Sequence, residues 1–202
     1  HVRSRRQRQM CIRDRHQKQY NFSSEKIPKS SNFNHGIIQF FHDENFSNLK
    51  PLSIFLSSPY YIIKDLLEDN AYKSIYIVGI SGGGFYSIVL SALLPEIDYT
   101  YSFSGHLPFI YKIGTDSFGD YEQQFSKLWS DFDYYTIYFL SLFDLSGSLS
   151  RKSTHVYAEF DKCCFSSPEI EYFKRTVDSL KLSNLNVKIF KDNDSHSTVS
   201  YT

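Results

Sequence analysis

The stretch that most limits how this chain folds is Ser74-Ile75-Tyr76-Ile77-Val78 running into Gly79-Ile80-Ser81-Gly82-Gly83. A short apolar run rich in β-branched residues and closed by glycines reads as a strand buried on both faces. Residues 84–94 then carry Phe85, Ile88, Val89, Ala92 and Leu93 at helical spacing until Pro95. A serine between such a strand and such a helix sits on a sharp turn, where the backbone is strained and any neighbouring Cβ crowds it. Gly79, Gly82 and Gly83 lie where that crowding is relieved. The helix N-terminus also aims N–H groups at a developing oxyanion, and the Gly82 N–H is the expected donor. Ser81 is therefore the candidate nucleophile. The plainer alternative is a serine that only caps its helix. A phosphate-binding loop fits less well, because neither G-K-[ST] nor a G-x-G-x-x-G register is present.

Around this centre the pattern alternates. Residues 60–69 place Ile62, Ile63, Leu66 and Leu67 on one helical face. Residues 97–103 read as a strand ending at Ser104-Gly105, and helices are expected near 121–129 and 134–145. Strands at 155–160 and 186–190 flank a helix at 168–182, with Ile170, Phe173, Val177 and Leu180 at helical spacing and Pro168 in its first turn. Residues 20–50 offer one strand, at 36–41. Alternating strands and helices predict an α/β domain: a mostly parallel sheet flanked by helices on both faces.

Length and charge bound the rest. A chain of 202 residues suffices for one domain with a substantial core. The formal net charge is zero, but residues 1–19 hold seven of the 22 basic side chains and one of the 22 acidic ones. The remainder is acidic, a poor match for nucleic acid. Met10-Cys11-Ile12-Arg13-Asp14-Arg15 resembles translated sequencing-adapter sequence, so 1–19 is expected to be a non-native or disordered head. Residues 20–202 are expected to form the single domain. The longest apolar-rich run, 134–143, is too short to span a bilayer, and the head lacks the apolar stretch of a signal peptide. Three cysteines suggest no disulfide framework, and adjacent Cys163 and Cys164 do not readily pair. A cytoplasmic, reducing setting fits this pattern, while oligomeric state is not legible.

A serine nucleophile needs a base, and the base needs an orienting acid. Asp161 follows the strand at 155–160, and His196 lies in Asp192-Asn193-Asp194-Ser195-His196 beyond the last strand. Both positions deliver side chains to the strand ends that carry Ser81, in the chain order Ser, acid, His. The alternatives are a turn aspartate at Asp161, a solvated loop histidine at His196, and a small metal site of Asp192, Asp194 and His196. Neither a metal nor an organic cofactor is expected. His106, after the strand next to the turn, and Phe85 are candidates for the pocket wall. Asn34-His35-Gly36 faintly suggests an oxyanion loop.

Ile77-Val78-Gly79-Ile80-Ser81-Gly82-Gly83-Gly84-Phe85 resembles the nucleophile elbow of α/β-hydrolase-fold proteins of the prolyl-oligopeptidase and esterase lineages. The resemblance continues at Pro95-Glu96-Ile97, Ser104-Gly105-His106-Leu107-Pro108, Gly119-Asp120-Tyr121-Glu122-Gln123, Asp161-Lys162-Cys163-Cys164-Phe165 and Asp194-Ser195-His196, roughly residues 50–202. It implies the fold and a triad of Ser81, Asp161 and His196. It supplies no substrate. Few strands precede Ser81, so the domain is expected to lack its first strands and the second oxyanion donor they carry. Losing one such donor costs about 10²–10³ in rate. The function expected is hydrolysis of a small carboxylic ester, or less readily an amide. A non-catalytic binding domain, an acyltransferase and a prolyl-peptidase-like enzyme are the rivals.

Overall fold

Four parallel strands and the helices between them follow from the alternation of apolar runs. In the computed structural model the residues described are 10–13, 51–68, 72–112, 133–161 and 164–191. They form β1 (Met10–Arg13), α1 (Pro51–Glu68), β2 (Tyr76–Ile80), α2 (Gly82–Leu93), β3 (Tyr99–Phe103), α3 (Tyr134–Leu140), β4 (Lys152–Ala158), α4 (Glu169–Ser179) and β5 (Leu185–Phe190). A 3-10 turn, Phe109–Tyr111, follows β3. The strands make one parallel sheet in the order β1-β2-β3-β4-β5. The expected strand at 36–41 and helix at 121–129 lie outside the described residues.

Composition set Met10–Arg13 apart from the domain, yet these residues pair with β2 in parallel, Met10 opposite Ile77 and Arg13 opposite Ile80. Strand pairing is a backbone property, so a segment without an apolar pattern can still add to an edge.

Register explains which face is buried. Ile77, Thr100, Ser153 and Leu185 form one row across β2 to β5, and Gly79, Ser102, His155 and Val187 form the next. All eight are buried. Each crossover leads to the next parallel strand in one direction, and right-handed crossovers of that kind place their helices on a common face. Contacts agree: Thr100 Oγ1 donates to Ser91 Oγ of α2 at 2.7 Å, while His155 meets Tyr138 of α3 and Phe173 of α4 with ring centroids 4.7 and 5.6 Å apart. Among the described residues α2, α3 and α4 thus share one face. The other face carries half-buried Tyr76, Val78, Tyr99, Tyr101 and Phe103, with the Tyr76 and Tyr99 rings stacked 4.4 Å apart. So β2 alternates rather than being buried on both faces.

The helices are held by apolar burial, each fully covered Leu, Ile or Phe contributing about 1.5–3 kcal/mol. Ten residues of α2, Gly82 to Ser91, are buried, which makes it the central helix. In α1 the inward side is Leu52, Leu56, Ile63 and Leu67, four-, seven- and four-residue steps that keep one stripe. Ile62, expected on that face, is exposed. The helix also starts nine residues earlier than expected, continuing through Pro59.

At the sheet edge where the strands begin, buried Arg151 joins two helix ends. Its Nη2 donates to Ser91 O, Ser91 Oγ and Leu94 O at 2.6, 2.7 and 3.1 Å, in the last turn and C-cap of α2. Its Nη1 donates to Leu140 O and Phe143 O at 3.2 and 2.9 Å, past α3. Nε reaches Ile97 O. Carbonyls orphaned at helix C-termini are natural partners for a cation.

Candidate active site

The centre of the site is built by the chain reversal between β2 and α2. Ser81 adopts φ 56° and ψ −130°, a left-handed backbone that costs a non-glycine residue on the order of 1–3 kcal/mol. It occupies the N-cap position, yet its side chain makes no capping hydrogen bond. The plain capping role weighed above is therefore not what the hydroxyl does. Gly84 N and Phe85 N turn back onto Ser81 O at 2.8 and 3.2 Å. The Gly82 and Gly83 amides are first-turn donors, which a helix leaves without an intrahelical acceptor.

The glycines are explained by contact. A Cβ on Gly79 would fall 1.9 Å from Gly83 O, so strand and helix start touch backbone to backbone. Gly84, which spacing alone did not single out, touches the neighbouring strand's end: a Cβ there would lie 2.8 Å from Gly105 Cα.

Asp161 lies past the end of β4, on the same edge of the sheet as Ser81 and two strands along, ~10 Å in the pairing direction. It is 4% exposed, unlike a solvated turn aspartate. Its Oδ1 accepts from Cys164 N at 3.3 Å, so it also organises its own turn. Lys112, buried, sets its ammonium 5.1 Å over the Phe165 ring in that segment. Cys164 is disulfide-bonded, which corrects the expectation of unpaired cysteines.

His196, Asp192 and Asp194 lie outside the described residues, as do His35 and Gly119 to Gln123. Ser81 and Asp161, two of the three residues expected to form a triad, thus lie on one edge of the sheet. Among the described residues no group of three or more His, Cys, Asp or Glu is arranged to hold a metal ion, and no helix is long and apolar enough to cross a membrane.

The two pocket-wall candidates are interior residues. Phe85 is 1% and His106 0% exposed, their rings edge to face at 5.7 Å. Around them lie Tyr134, Tyr138, His155, Tyr157 and Phe173. Burial, then repulsion from His155 and Lys112, holds the His106 pKa well below its ordinary value. Burial lowers His155 to about 3. Both rings are neutral at pH 7. Ser104, read above only as the end of its strand, also has a left-handed backbone, with φ of 42°. The signal was there: β3, like β2, ends in Ser-Gly.

No family model matches the chain, and neither does any curated protein. Among solved structures it is similar to Est1E from Butyrivibrio proteoclasticus, at 12% identity and a TM-score of 0.48, over 72% of this chain and 62% of that one. It is also similar to esterase PE8, at 12% identity and a TM-score of 0.43, over 74% and 55%. For the Pyrococcus horikoshii acylaminoacyl peptidase the values are 16% and 0.37, over 80% and 22%. The chain thus spans less than two thirds of the length of each of these three. These neighbours are esterases and acylaminoacyl peptidases of the α/β-hydrolase fold.

Proposed function

We propose that this chain is a serine hydrolase that cleaves a small carboxylic ester through an acyl-enzyme on Ser81. One observation carries the reading: Ser81 holds a strained left-handed backbone at the strand-to-helix turn while its hydroxyl does no capping. Strain of that kind persists where the surrounding structure enforces it, and it clusters at sites of chemistry.

In this reading His196 takes the proton from Ser81 Oγ as the oxygen attacks the ester carbonyl. The tetrahedral oxyanion is met by the Gly82 N–H at the start of α2. Collapse breaks the bond to the leaving alkoxide, which receives the proton from His196 and departs as the alcohol. Water, deprotonated by the same imidazole, then releases the acid and restores Ser81. Asp161 fixes the tautomer of His196, and its burial supports that role because a charge shielded from water acts more strongly on a neighbour.

The test is labelling by a fluorophosphonate, which reacts only with an activated serine. Wild-type protein is expected to label and Ser81→Ala to remain unlabelled with its circular dichroism unchanged. Equal labelling of the variant removes Ser81 from the mechanism. A folded wild type that never labels points to a binding domain instead.

A further inference from the structure

The turn that carries Ser81 does not stand alone. Its amide donates to Phe103 O, the last carbonyl of β3, at 2.8 Å. The next residue, Ser104, is itself left-handed at φ 42° and donates its N–H to Val156 O of β4 at 2.8 Å. Then comes Gly105, where a Cβ would lie 2.6 Å from Gly84 C and 2.4 Å from Ser102 Oγ. Two strained turns on adjacent strands therefore interlock through their backbones.

His106 fastens the second turn. Its carbonyl oxygen accepts from Tyr157 OH at 2.6 Å, and its Nδ1 is hydrogen-bonded to Tyr138 OH at 2.9 Å. One tyrosine comes from β4 and the other from α3, so the residue is held from two directions. Its ring meets Phe85, one turn into the helix that Ser81 begins. Among the described residues neither ring nitrogen of the neighbouring His155 has a hydrogen-bond partner, whereas His106 is tied through Nδ1 and leaves only Nε2 without one.

We propose that His106 is a positioning residue: clamped by Tyr138 and Tyr157, it locks the Ser104-Gly105 turn against the elbow and so fixes the backbone of Ser81 and Gly82. Its consequence for rate rests on the reading of Ser81 as the nucleophile. Its consequence for the elbow does not.

The experiment compares Tyr138→Phe, Tyr157→Phe, His106→Leu and His106→Asn by two measurements. The first is the second-order rate of fluorophosphonate modification, corrected for the folded fraction. The second is hydrogen exchange at the Ser81 amide relative to the Phe173 and Val177 amides in α4. Both tyrosine variants and His106→Leu are expected to slow modification about tenfold, a fraction of what a 1 Å misplacement of a reacting group can cost. They are expected to speed Ser81 exchange by a similar factor while α4 is unmoved. His106→Asn, whose carboxamide stands where Nδ1 does, is expected to restore both. Rates that fall only with the folded fraction, or a Ser81 amide that stays protected, overturn the proposal. If the wild type does not react, the nucleophile reading fails and the exchange measurement alone decides the clamp.

Discussion

At the scale of single residues, position along the backbone matters as much as chemistry. Ser81 holds a conformation suited to glycine, so Ser81→Gly is expected to raise stability by about 1 kcal/mol in urea unfolding, the strain relieved less the entropy a new glycine adds to the unfolded chain. The same change removes the hydroxyl and with it all labelling. The reverse holds at Gly79, where a methyl group would strike Gly83 O. Gly79→Ala is expected to destabilise by about 3 kcal/mol, the upper end for overpacking, and by more than Gly84→Ala, whose neighbour stands farther off. The need for glycine at Gly79 was legible because the strand-to-helix turn is a local pattern. The close contacts of Gly84 and Gly105 were not legible, because their constraint comes from a strand that is distant in sequence. His106 was expected on a pocket wall from its position after β3, but whether it faced a pocket or the interior depended on tyrosines some 30 and 50 residues away.

Secondary structure was legible wherever an apolar period stood clear. β4, α4 and β5 were expected within a few residues of where they form, β2 lies two residues later than expected at both ends, and β3 starts two residues later. The start of α1 was not legible, since Pro59 was read as a boundary. A proline removes one N–H and crowds the preceding turn, but Leu52 and Leu56 bury enough surface to keep the helix intact across it. Arg151 gave no signal at all: an arginine before a strand reads as surface, and only the packing of α2 and α3 turns its surroundings into carbonyls. Arg151→Met is expected to lower the unfolding free energy by on the order of 3 kcal/mol or more, because several buried carbonyls lose a charged donor at once. Arg151→Lys recovers part of this, having a charge without the planar fork. Chemical denaturation of the three proteins gives the ranking.

For the whole molecule, the interior sets a pH limit. An unfolded chain protonates its histidines near pH 6.5, whereas burial keeps His155 neutral down to about 3 and depresses His106 likewise. The unfolded state therefore binds more protons below pH 6.5. Stability is complete above that value and falls by ~1.4 kcal/mol per pH unit for His155 as the pH drops toward 3, with His106 adding in the same direction. Between pH 6.5 and 5, above the range in which ordinary carboxylates titrate, the loss from His155 is ~2 kcal/mol. Urea midpoints at pH 7 and 5 measure it, and His155→Phe is expected to flatten the slope. The sheet has a consequence of another kind. Its strands lie side by side in the order in which they occur along the chain, so a ribosome can extend it at one margin, laying each new βα unit beside the last. None of the described strands has to wedge itself between two neighbours already joined, so their assembly can keep pace with synthesis.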